Sequence, residues 1–150
     1  MTTKSAVRLL IAFLVAVVIT AILGSIAQTQ FNLAAIAQMG GPVTGALHLR
    51  TTAQDLLGFG PVMGAIAAAA FLPAFAAAFV ASRFVPAPAA LVYALAGFLG
   101  IWAAFSLMGY FTPMPTLVAA VRGEIGLLTM SATGLIGGLV FSRLARSASA

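Results

Sequence analysis

Four long apolar runs, separated by short polar stretches, dominate the chain. They cover residues 6–27, 56–82, 87–110 and 124–144. A helix needs about 20 mostly apolar residues to cross the ~30 Å hydrocarbon core of a bilayer, and each run reaches that length. Apart from tyrosine, ionisable groups occur only at the margins of the runs. Strands of a membrane barrel would alternate apolar and polar residues over about ten positions, and these runs do not alternate. The pattern predicts an all-α integral membrane protein: one polytopic domain built as a four-transmembrane-helix bundle.

The connections predict its finer layout. Arg83-Phe84-Val85-Pro86 is a tight turn between the second and third runs, and Pro86 and Pro88 suit the first turn of a helix. The two other connections are longer and fall together on the opposite side. In the first, Phe31, Ala35 and Met39 recur every four residues before Gly40-Gly41-Pro42, which predicts a short interfacial helix and its stop. Thr52-Ala53-Gln54-Asp55 then matches a capping box and predicts the start of the second span there. In the other, Pro113 and Pro115 end the third span, and Thr116 is placed to cap a short interfacial helix from Leu117 to Arg122. Each longer connection thus has a break, a short helix, an Arg and an acid, which suggests two related hairpins.

Composition agrees with a bilayer and fixes an expected orientation. Charged residues make up 6% of the chain, against about 25% in a soluble domain, and mean hydropathy is +1.17. Lys4, Arg8, Arg83, Arg143 and Arg146 fall on one side; Arg50 and Arg122 fall on the other, together with Asp55 and Glu124. Basic loops stay cytoplasmic, so both termini are expected in the cytoplasm, as in a bacterial inner membrane, with the longer connections outside. The net charge of +5 is scattered along the chain, with no basic stripe for nucleic acid. The first run has a rival reading as a signal peptide, with Ser25-Ile26-Ala27 as a small-x-small cleavage site, although its apolar stretch is at the long end for one.

Small residues predict how the helices meet. In lipid, helices associate through close backbone approach and interhelical hydrogen bonds. Ladders spaced by four run through the spans: Ala12, Ala16, Thr20 and Gly24; Ala96, Gly100 and Ala104; Gly134, Gly138 and Ser142. The second span carries two such faces, one with Gly60 and Gly64, the other with Ala65, Ala69, Pro73, Ala77 and Ala81. The GxxxG pairs Gly60/Gly64 and Gly134/Gly138 are the strongest packing candidates. A second small face leaves room for a second copy or another subunit.

Candidate chemistry is sparse. The chain has no cysteine and a single histidine, His48, outside the spans. A haem between helices needs axial ligands such as two His or a His and a Met, and His48, Asp55 and Glu124 are the only good metal ligands. No cofactor, no metal and no enzymatic activity are expected. The one polar constellation is His48, Arg50, Asp55, Arg122 and Glu124 on the outer face, either tying the loops together or receiving a charged solute. Hydroxyls of the fourth span, Thr129, Ser131 and Thr133, bond carbonyls one turn back or bridge helices. Trp102 sits mid-span rather than in the interfacial belt, a possible contact for lipid or another hydrophobic ligand, whereas Tyr93 and Tyr110 suit the belt. The expected function is a small non-catalytic subunit, anchor or accessory protein of a membrane complex, with other membrane subunits or copies of itself as partners. The alternative is a small homo-oligomeric transporter or channel that uses the outer Arg/acid cluster.

Overall fold

A computed structural model describes residues 3–112 and 118–146. The described chain is helical: α1 (Thr3–Gln38), α2 (Gly45–Gly58), α3 (Gly60–Ala81), α4 (Ala89–Phe111), a short 3-10 turn (Ala119–Arg122) and α5 (Glu124–Arg146). Four of these, α1, α3, α4 and α5, are long and apolar enough to cross a membrane. They form a closed ring in which α1 and α4 each touch both α3 and α5. Neighbours run antiparallel, as the pairings Gly24–Met63, Gly97–Gly134 and Gln28–Ala120 show. The α3–α4 turn therefore lies at the end where α1 starts and α5 finishes (the terminal end), and α2 and the 3-10 turn lie at the other (the loop end).

Two boundaries differ from the sequence expectation. The first span and the short helix after it are one helix of 36 residues, about 54 Å long at 1.5 Å per residue. Nothing between Ala27 and Phe31 breaks a helix, because Gln28, Thr29 and Gln30 all tolerate one. Gly40 ends it at φ +80°, a left-handed conformation that glycine adopts freely. The second boundary is the start of α2. Thr44 is the cap there, its Oγ1 accepting from the Leu47 N–H at 3.3 Å, so Thr52 and Asp55 sit inside a helix rather than at its start. Phe59 joins α2 to α3, and Pro61 occupies the first turn of α3, where its missing N–H goes unused. Of the last connection, Pro113, Pro115, Thr116 and Leu117 lie outside the described residues.

Packing divides the bundle. At the terminal end Phe75 stacks on Phe71 and Phe141, at 4.6 and 4.5 Å between centroids, and meets Phe13 and Tyr93 edge-on. Tyr93 packs into this aromatic cluster. In mid-bundle, α4 and α5 approach backbone to backbone. A Cβ on Gly97 would strike the Gly134 carbonyl, and one on Gly134 the Gly97 carbonyl; one on Gly138 would strike the carbonyl of Tyr93. Only glycine allows this approach.

The ladder Ala12, Ala16, Thr20 and Gly24 is buried along its whole length against α3 and α5. Gly60 and Gly64 behave differently: a Cβ on Gly60 meets nothing within 4 Å, and one on Gly64 only the Ala21 Cβ, at 3.6 Å. Gly60→Ala and Gly64→Ala are expected to shift stability by less than about 1 kcal/mol, with Ala gaining slightly from its better helix propensity. Thermal unfolding in detergent checks this, and a large drop in either variant would put those glycines at a contact the bundle does not show.

Candidate functional site at the loop end of the bundle

Where α1 leaves the four-helix ring it becomes polar on its inner face. Gln28 continues the ladder of α1 by one more step of four, and with Ser25 and Thr29 it is buried. Each side chain there has a distinct use. Gln28 Oε1 accepts from the backbone N–H of Ala120 at 2.9 Å, tying the 3-10 turn to α1. Thr29 Oγ1 lies 2.8 Å from Asp55 Oδ2, donating to the carboxylate, and 3.0 Å from the Ser25 carbonyl. Ser25 Oγ, fully enclosed, has no hydrogen-bond partner among the described residues. Deeper in the membrane Thr20 Oγ1 reaches the Thr133 carbonyl at 3.4 Å across the α1–α5 contact. Thr129, Ser131 and Thr133 bond the carbonyls of Ile125, Leu127 and Met130 one turn back.

Helix α2 distributes the outer-face residues named above. Arg50 and Asp55 are five apart, about 140° around a helix, so they occupy different faces of α2. Asp55 turns to Thr29, Arg50 is exposed, and His48 is half-buried. Arg122 and Glu124 come together elsewhere, on the wall of a cavity of about 700 Å³ between the outer part of α1 and the start of α5. Phe31, Asn32 and Gln38 form the facing wall. Glu124 stands in the first turn of α5, where a carboxylate favours the helix dipole. Gly126 permits the wall to close, since a Cβ there would strike the Ala120 carbonyl. The structure therefore does not gather the five residues: Asp55 lies on the α1–α2 junction, Arg122 and Glu124 line the cavity, and His48 and Arg50 lie elsewhere on α2.

The cavity joins a guanidinium, a carboxylate, two amides and an aromatic ring. Such a lining can hold a small solute or headgroup that bears both charges. Among the described residues no three His, Cys, Asp or Glu side chains gather as a metal site.

Gln28 and Thr29 are the residues that sequence reasoning missed. The available signal was the spacing of four from Ala12 to Gly24, which reaches Gln28 when continued past the apolar run. Trp102 lies on α4 and is 44% exposed, facing away from the bundle. No family model, no curated protein and no solved structure matches the chain.

Proposed function

We propose that the chain is a small non-catalytic subunit of a membrane complex, an anchor or accessory protein with both termini in the cytoplasm, as in a bacterial inner membrane. The orientation rests on charge: Lys4, Arg8, Arg83 and Arg143 stand at the terminal end, against Arg50 and Arg122 with two acids at the loop end. The observation that carries the role is the helical hairpin at the loop end. Helix α1, about 54 Å long, exceeds the ~30 Å hydrocarbon core. Helix α2 folds back beside it yet buries no residue. Met39, Leu49 and Leu57 on this hairpin are 79%, 77% and 83% exposed. A helix that contributes nothing to the core of its own chain, but is held to it by Asp55 and Thr29, suits contact with another subunit.

The test is purification from native membranes in mild detergent, followed by native mass spectrometry. The reading expects a second, unrelated chain with the wild type and its loss with Leu49→Asp. Asp55→Asn weakens the tie to Thr29 and is expected to lower stability by about 1 kcal/mol while leaving the partner bound. A protein that never carries another chain, whatever the detergent, refutes the proposal.

A second reading, a small transporter or channel, draws on the Arg122/Glu124 cavity. It expects a solute flux in liposomes that Glu124→Gln abolishes while the fold is kept. Absence of flux across a panel of amino-acid and amine solutes with the folded wild type counts against it.

A further inference from the structure

The cavity of about 700 Å³ between the outer part of α1 and the start of α5 lies at a defined depth. Gln28 is level with Ala120, whose N–H it binds. The α1 wall, from Phe31 to Gln38, therefore stands about 5–15 Å beyond Gln28 at 1.5 Å per residue. Helix α5 starts at Glu124, and its 22-residue apolar span, about 33 Å long, matches the ~30 Å hydrocarbon core. Headgroups add about 5–8 Å on each face of that core. The cavity thus opens at headgroup level, with hydrocarbon directly beneath it.

Its walls combine opposite charges with amides. Arg122 and Glu124 belong to one wall, Asn32 and Gln38 to the other. A guanidinium has five N–H donors, so it can grip a phosphate with two of them while the rest serve the protein. A carboxylate accepts from a primary ammonium, whereas a quaternary ammonium has no N–H to give. The floor is packed: Ala120 and Gly126 are buried, and a Cβ on Gly126 would strike the Ala120 carbonyl. That floor stands between the cavity and the bundle interior, which favours a resident group over a solute in passage. One side continues toward hydrocarbon. Ile125 lines the cavity and is exposed, and Leu128, three residues on along the same face of α5, is exposed too. A ligand with a charged end and an apolar chain matches both parts.

We propose that this cavity binds the headgroup of a phospholipid in which a phosphate is joined to a primary ammonium. Arg122 takes the phosphate, Glu124 takes the ammonium, and Asn32 and Gln38 bond the remaining headgroup oxygens from the facing wall. The acyl chains lie along Ile125 and Leu128. A free phosphate–ammonium zwitterion has the same polar chemistry but lacks the chain that the exposed stripe of α5 receives. A choline headgroup brings a cation without N–H donors, and a glycerol headgroup brings no cation for Glu124. The site therefore prefers ethanolamine to both. It is independent of the subunit contact proposed for α2, and it competes with the use of the same cavity for transport.

Native mass spectrometry of the detergent-purified protein tests this, with phosphatidylethanolamine, phosphatidylcholine and phosphatidylglycerol of identical chains as probes. The wild type is expected to bind the ethanolamine lipid roughly three- to tenfold more tightly than the other two. Glu124→Gln is expected to erase that preference. Arg122→Gln is expected to weaken all three lipids, since they share the phosphate. Arg50→Gln, exposed on α2 and outside the cavity, is expected to keep the wild-type ranking. Ala35→Trp fills the cavity and keeps both charges, so it tests the location even where a charge variant fails to fold; it too is expected to lose the preference. Free O-phosphoethanolamine is expected to bind at least tenfold more weakly than the lipid. The proposal is overturned if the wild type does not discriminate among the lipids, if Arg50→Gln erases the preference as Glu124→Gln does, or if Ala35→Trp retains it. Equal affinity for free O-phosphoethanolamine overturns it as well, and assigns the cavity to a soluble zwitterion.

Discussion

Gly134→Ala is expected to destabilise the bundle severely, although it adds a single methyl group. The new Cβ would occupy the space of the Gly97 carbonyl. A side-chain neighbour can rotate away; a backbone carbonyl of a packed helix can yield only if α4 and α5 separate. That separation would also loosen the Tyr93–Phe141 contact, 5.1 Å between centroids, near Gly138. Overpacking typically costs about 1–3 kcal/mol, and a collision with backbone at the closest crossing of the bundle belongs at or above the upper end. Gly97→Ala should do the same from the other side, since its Cβ meets the Gly134 carbonyl. Yield, monodispersity and thermal midpoint in one detergent measure the effect. Wild-type behaviour of both variants would mean that α4 and α5 do not cross at these glycines.

Replacement of Gln28 by Leu comes second in size and acts through a different cause. The two side chains are similar in volume, so packing of α1 is kept while the acceptor for the Ala120 N–H is lost. A buried donor left unmatched costs about 1–3 kcal/mol, and more is at stake in a site that water enters poorly. The expected result is a loss of stability in that range with a local signature: rapid hydrogen exchange at the Ala120 amide and early proteolysis between α4 and α5. Thr29→Val is the useful comparison. It should loosen α2 through Asp55 and leave the exchange at Ala120 slow. If both variants raise exchange equally in both segments, the two ties are one unit rather than separate ones.

Much of the architecture was legible in the chain because a bilayer limits the choices. With no water to satisfy backbone groups, an apolar run of sufficient length must be a helix, and the four runs become α1, α3, α4 and α5. The small-residue ladder of α1 was legible for the same reason: a period of four marks a face whatever the partner. The candidate site was legible only as a list of rare polar residues. Arg50 and Asp55 looked like a pair in a loop. The helix that contains both gives each a different face, and α2 begins at Thr44 because its threonine hydroxyl, rather than that of Thr52, captures the free N–H groups.

What the sequence determined by itself is local: which segments are helical, which end gathers the basic residues, and which faces are small. Partnership between distant residues depended on the fold. Nothing near Gly97 announced it, since Tyr93 and Ile101 flank it at spacings of four, yet it faces Gly134 and Gly138 because antiparallel packing brings those positions level. Gln28 meets Ala120 across 92 residues of chain, and Arg122 and Glu124 share a cavity with α1 while Asp55 does not. A periodicity is set by backbone geometry alone and so can be read along one helix. A contact is set by how two helices cross, and only the assembled bundle holds that.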